Sequence, residues 1–303
     1  MLHTVQSLAA ALPDPNSRRT RIWAMLVAGV IVLLGVQAMM PAWPILPIPQ
    51  DVTATVALSV FIFALGCEYM DSSLGMGYGT TLTPLLLLAG FEPLQIVPAI
   101  LLSELITGLA AGALHQRDGN VDFLRDARAR RTALLLTALS IVGTLVAVGF
   151  ALSISKFWLT VFISAIILAM GVLILATRKR QVTYRPASIV AVGAVAAFNK
   201  GLSGGGYGPL VTAGQMVSGL PAKHAVAIAS VTESFTCAIG LAAYLAAGQP
   251  IHWGLAVPLA LGAMLSVPMA TVTVRRMKES ALRTLVGLAT IALGLVALAK
   301  VLQ

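Results

Sequence analysis

The chain has 303 residues, 58% of them hydrophobic and only 10% charged, with a formal net charge of +9 and a mean hydropathy of +0.92. A soluble domain carries roughly 25% charged residues. Apolar stretches of membrane-spanning length recur here and leave no segment for a soluble catalytic domain, so enzyme readings fall away. The positive charge does not point to nucleic acid, because it sits in short loops and termini, where it orients a polytopic chain against the membrane.

In chain order, Arg18, Arg19 and Arg21 precede an apolar run over residues 22–40. The run is long and lacks a small-residue cleavage site, so a retained first spanning helix is expected rather than a signal peptide. Prolines 41, 44, 47 and 49 then make a stiff connector with an interfacial Trp43. Residues 52–70 are apolar enough to enter the membrane, with Glu68 and Asp71 clustered at their far end, and Gly75, Gly77 and Gly79 interrupt them. The segment 80–89 is too short for an ordinary crossing at about 1.5 Å rise per residue. Pro93 suits the first turn of the next helix, which carries Glu104, Gly108 and Gly112.

Five arginines between 117 and 131 form the strongest topology marker. Two apolar segments, 132–152 and 157–176, return to the basic run Arg178-Lys179-Arg180. A second interrupted region follows, Asn199-Lys200-Gly201-Leu202-Ser203-Gly204-Gly205-Gly206-Tyr207-Gly208-Pro209. So many glycines and a proline do not fit inside a continuous helix. Lys223 and His224 open the next helix at an expected interface, and that helix carries Glu233. Apolar segments 253–274 and 281–298 flank Arg275, Arg276 and Lys278.

The two interrupted regions are related. A shift of 129 positions places Gly75 on Gly204, Gly77 on Gly206, Tyr78 on Tyr207, Gly79 on Gly208 and Glu104 on Glu233. Placing the basic loops in the cytoplasm gives the copies opposite membrane orientations. The expectation is an all-α polytopic membrane protein of 8–10 spanning segments, built from two inverted-topology repeats with broken or re-entrant helices. Its parts are residues 1–51 (cytoplasmic N-terminus, first helix and connector), 52–180 (first repeat) and 181–303 (second repeat). Inverted repeats with interrupted helices place helix-end amides near mid-membrane, where they bind substrate while the halves exchange which face is open.

The second break together with Lys223-His224-Ala225-Val226-Ala227-Ile228-Ala229-Ser230-Val231-Thr232-Glu233 resembles the sulfite exporter TauE/SafE family of inner-membrane permeases. The resemblance covers nearly all of the chain after the first helix. It implies export of sulfite or a related small sulfur-containing anion such as a sulfonate, sulfoacetate or thiosulfate. The first copy departs by having Met76 where the second has Gly205, so its contribution to a site need not be symmetric.

The expected substrate-binding set is Gly75, Gly77, Tyr78, Gly79, Asn199, Lys200, Ser203, Gly204, Gly205, Gly206, Tyr207 and Gly208. Helix-start amides, the Lys200 ammonium and hydroxyls would replace the anion's hydration. Asp71, which matches Lys200 in position, Glu104 and Glu233 are the proton-coupling or gating candidates, because intramembrane acids are costly; each also has a reading as a member of a structural hydrogen-bond network. Cys67 and Cys237 form no metal spacing and His224 has no companion ligands, so neither a metal nor a cofactor is expected. The expected partners are the sulfur-containing anion, protons and the lipid bilayer, with no nucleic acid; assembly into a homo-oligomer stays open. An anion channel and, behind it, a membrane scaffold are the alternatives: saturable countertransport marks a carrier, ohmic conductance a channel.

Overall fold

The structure, a computed structural model, describes residues 11–14, 17–39, 52–150, 186–203 and 207–301, with isolated positions 168, 172 and 176. All regular elements among them are helices. The first five are α1 (Arg18–Met39), α2 (Ala54–Leu74), α3 (Tyr78–Leu88), α4 (Pro93–Arg117) and α5 (Ala127–Phe150). The rest are α6 (Pro186–Ser203), α7 (Tyr207–Val217), α8 (Ala222–Ala246), α9 (Trp253–Arg276) and α10 (Glu279–Val301). Within the described residues, five helices are long and apolar enough to cross a membrane: Arg18–Val36, Ala54–Leu74, Gln95–Arg117, Ala222–Ala246 and Trp253–Arg276. The protein is an all-α, multi-pass membrane protein. The connector at 41–49, the expected span 157–176 apart from positions 168, 172 and 176, the basic run 178–185 and Gly204 to Gly206 lie outside the described residues, as do the side chains of Asn199 and Ser203.

Local chemistry sets the helix ends. Thr53 caps α2 by accepting the Val56 N–H, and α2 stops at Gly75, whose φ of 72° is a left-handed conformation that favours glycine. Glu92 and Gln95 form a reciprocal capping box at the start of α4, with Pro93 in its first turn. In the loop before α5, Asp122 accepts the backbone N–H groups of Arg125 and Leu124 and the Gln116 amide. The Arg125 bond, foremost, holds the Asp122 carboxyl below the usual carboxylate range.

The shift of 129 positions carries Tyr78–Leu88 onto Tyr207–Val217 and Pro93–Arg117 onto Ala222–Ala246. Packing follows the same exchange: α2 lies against α9 as α6 lies against α5, α4 lies against α9 as α8 lies against α5, and α4 and α8 pack on each other at the centre. Small residues let that central pair approach closely, since a methyl group on Gly108 would stand 2.6 Å from the Ser230 carbonyl oxygen. Large apolar side chains such as Met25, Val32, Leu134 and Val142 remain exposed on the outside of the bundle, as lipid-facing positions require.

The two ends of the bundle differ in charge. At one end, the ring of Phe91, in the turn before α4, meets that of His252 at the start of α9. At the other, the Ala222 N–H donates to Glu279 Oε1 at 2.7 Å, Lys223 Nζ donates to the Arg275 carbonyl, and His224 Nδ1 lies 3.3 Å from Asp126 Oδ2. Arg19 pairs with Asp118 and Arg276 Nη1 donates to the Leu12 carbonyl at this end as well. The basic segments around 19, 117–131 and 275–278 therefore gather on one face. Gly90 and Gly219, which match under the shift, sit at opposite ends of the bundle.

Candidate functional site

The first helix break touches the start of α7. Thr212 of α7 donates its hydroxyl to the Gly75 carbonyl at 2.8 Å. A Cβ added to Gly208 would stand 2.5 Å from that same oxygen and 2.8 Å from the Met76 Cα. The start of α7 is thus seated on the αL turn that ends α2, and only a residue without a side chain allows the approach.

Beside this contact lies a buried charged cluster. Lys200, in the last turn of α6, extends its ammonium 2.7 Å from Glu104 Oε2 of α4 and 2.8 Å from Glu233 Oε1 of α8. Lysine and both acids are nearly excluded from solvent. Glu104 and Glu233 stand 129 positions apart in the sequence, so the lysine bridges the two carboxylates that the shift superposes. Glu104 also accepts the Gly79 backbone N–H at 3.2 Å and the Cys237 thiol at 3.2 Å. Asp71 accepts the Tyr78 N–H at 3.4 Å and interacts electrostatically with Glu233, Glu68 and Glu104.

The start of α3 is therefore an anion-receiving helix end that holds the protein's own carboxylates. Exposed first-turn N–H groups and the helix dipole favour negative charge there. Both tyrosine hydroxyls are engaged within the protein: Tyr78 with Ser103 Oγ at 2.7 Å, Tyr207 with Ser140 Oγ at 3.0 Å.

A second polar group adjoins the first. Ser72 Oγ donates to Glu68 Oε1 at 2.6 Å, and Thr107 Oγ1 lies 3.2 Å from Glu68 Oε2. The Ser72 carbonyl accepts from His115 Nε2 at 3.1 Å, and the Asn120 amide donates to His115 Nδ1 at 2.9 Å and to the Thr271 carbonyl. Thr271 Oγ1 donates to Asp118 Oδ2, and Asp118 Oδ1 receives Arg19 on the basic face.

Of the residues expected from sequence, Gly75, Gly79, Asp71, Tyr78, Glu104, Lys200, Gly208 and Glu233 come together in this region, while the tyrosine hydroxyls point into serine contacts. Lys223 and His224 sit at the bundle end, away from it. Sequence reasoning passed over Ser72, Thr107, His115 and Thr212 and gave Glu68 and Cys237 no role. The signal for Glu68 was its spacing: it precedes Asp71 by three residues and Ser72 by four, on one helical face leading into the break. No group of His, Cys, Asp and Glu among the described residues could hold a metal ion.

The profile of the sulfite exporter TauE/SafE family matches residues 58–297. The chain belongs to that family. Its match begins inside α2 and ends inside α10, so it takes in both breaks and the Lys200 cluster. Among curated proteins, the probable membrane transporter protein YtnM of Bacillus subtilis (strain 168) is 27% identical over 243 residues, covering 76% of this chain and 79% of that protein. No solved structure matches the chain. A membrane transporter of the TauE/SafE type is the function these relationships support.

Proposed function

We propose that this transporter exports sulfite or a related small sulfur-containing anion across the cell inner membrane by alternating access, coupled to protons. The observation that carries the reading is Lys200 bridging Glu104 and Glu233 beside the contact between the first break and α7. A buried ammonium held by carboxylates is a cation already furnished with anionic partners, and an incoming oxyanion can take the place of one of them. The amides at the start of α3, which hold Asp71 and Glu104, offer the same exchange to a sulfur oxyanion's oxygens. When the anion leaves, the carboxylates return to Lys200, and such an exchange of partners favours a carrier over an open channel.

Two inverted-topology repeats are the architecture that would let the centre face either side. Support comes from Gly90 and Gly219 lying at opposite ends of the bundle and from the twofold exchange in helix packing. With the basic face in the cytoplasm, α4 and α9 run inward and α8 runs outward.

The test is reconstitution in tight vesicles, with uptake of sulfite, sulfoacetate and thiosulfate compared with and without an imposed proton gradient. The expected result is saturable flux of at least one of these anions, inhibited by the others and accelerated by the gradient. Ohmic conductance without saturation would replace the carrier by a channel, and absence of anion flux would end the reading.

A further inference from the structure

Proton coupling needs a group that can gain and lose a proton without losing its surroundings, and Glu104 is poorly suited to that task. Its three partners are the Gly79 N–H, the Lys200 ammonium and the Cys237 thiol. The first two can only donate. A proton on Glu104 would find only the Cys237 sulfur, a weak acceptor, and would give up the charge-assisted character of the bond from Lys200.

Glu68 is placed differently. Both of its oxygens meet hydroxyl groups, Ser72 at 2.6 Å and Thr107 at 3.2 Å. No lysine, arginine or histidine among the described residues lies within ion-pair distance of it. Thr107 Oγ1 is also 3.0 Å from the Ser103 carbonyl oxygen. The threonine has a single hydroxyl hydrogen, and a carbonyl can only accept. Both contacts are made together when Thr107 donates to Ser103 and a protonated Glu68 donates to Thr107. When Glu68 is ionised, the same hydroxyl turns to Oε2 while Ser72 still donates to Oε1. Each charge state therefore finds partners without any side chain moving away.

We infer that Glu68 is the residue that carries the transported proton, separate from the carboxylates that neutralise Lys200. This rests on the proton-coupled export proposed above. With Lys200 paired to Glu104 and Glu233, Glu68 holds the proton as a carboxylic acid. It releases that proton as H⁺ and becomes a carboxylate when the centre opens to the cytoplasm. The polar chain from Ser72 through His115, Asn120, Thr271 and Asp118 joins its neighbourhood to the basic face. His115 is complete as a neutral ring in this chain, accepting at Nδ1 and donating at Nε2. The ionisable groups facing Glu68 are Cys67 and Asp71 on α2, Tyr78 at the start of α3, Glu104 on α4 and Glu233 on α8; His115 on α4 meets the Ser72 carbonyl, and Lys200 on α6 and Cys237 on α8 meet Glu104. The part of α9 packed along α2 contributes none between Trp253 and Val274.

Vesicles holding wild type, Glu68→Gln or Glu68→Asp at matched amounts of inserted protein are loaded with sulfite. Two rates are read against protein-free vesicles: net efflux driven by an acid exterior, and sulfite exchange at equal pH, which needs no return of the empty carrier. In Glu68→Gln the ratio of driven efflux to exchange should fall to its gradient-free value, and Glu68→Asp should restore part of it. An unchanged ratio in Glu68→Gln overturns the inference. Infrared difference spectra across a pH titration supply a second readout: wild type should show a protonated-carboxyl stretching component, shifted in heavy water, that Glu68→Gln lacks. Identical spectra also overturn it. If wild type moves no sulfite, the export reading fails on its own terms, while the infrared comparison still decides whether Glu68 holds a proton.

Discussion

Gly208 abuts Gly75 so closely that a methyl group on it would stand 2.5 Å from the Gly75 carbonyl oxygen. The obstacle is backbone on both counts, Gly75 O and Met76 Cα, and backbone cannot rotate aside as a side chain does. Gly208→Ala should destabilise the folded protein by about 1–3 kcal/mol, the usual range for overpacking, and reduce anion flux further than stability alone explains. Gly66→Ala is the control, since an added Cβ there meets nothing within 4 Å and alanine favours the helix. Thermal unfolding in detergent with parallel flux measurements checks the pair; equal melting temperatures for both variants would refute the contact.

Removing the lysine should do more than weaken anion binding. Lys200→Ala leaves Glu104 and Glu233 buried without their cation, and breaking a buried pair from one side costs about 3–5 kcal/mol. Adding Glu104→Gln and Glu233→Gln to Lys200→Ala should recover much of the melting temperature but none of the flux. Lys200→Arg keeps the charge yet brings a planar fork to a site built for a point donor, so its rescue should be partial. Lys223→Ala, at the bundle end where Nζ meets the Arg275 carbonyl, should leave flux near wild type. Full flux in Lys200→Ala would remove the lysine from the anion path.

Thr212→Val keeps the shape of the side chain and deletes the hydroxyl that holds the Gly75 carbonyl. The expected loss is about 1 kcal/mol, the net value of one ordinary hydrogen bond. Because this bond ties α7 to the end of α2, hydrogen exchange at the start of α3 should quicken in the variant. Exchange unchanged there would show that α7 and the first break are not coupled through this bond.

Topology can be read directly. In a background with Cys67 and Cys237 replaced, a cysteine at Arg128 should resist an impermeant thiol reagent in sealed right-side-out cells, and one at Gln249 should react. The expectation follows from basic loops staying in the cytoplasm and from the gathering of basic segments on one face. The reverse labelling pattern would invert the orientation, and labelling of both would break the assignment.

Much of the architecture was legible because it is written in local chemistry. Gly75 at a helix end, Pro93 at a helix start, and Tyr78 and Tyr207 at the starts of α3 and α7 mark element boundaries. The centre was less legible, since Lys200 finds its acids 96 and 33 residues away on helices whose rotation no local pattern records. Glu104 and Glu233 stood out as lone acids in apolar helices, whereas Glu68 looked like the neighbour of Asp71. Its distinction is the hydroxyl of Thr107 from another helix, and only packing of α2 on α4 brings that within reach.

Asp71 and Lys200 occupy matched positions with opposite charge. A protein assembled from two copies of the first half would bring Glu68, Asp71 and Glu104 to its centre twice over with no lysine among them. Two copies of the second half would instead bring two Lys200 side chains against two Glu233 carboxylates and would be self-neutralised. Neither arrangement yields one cation shared by two acids beside a separate hydroxyl-lined acid. Because the stretches related by the shift of 129 lie in one polypeptide, each can diverge without the change being imposed on its counterpart, so one centre can hold two unlike compartments.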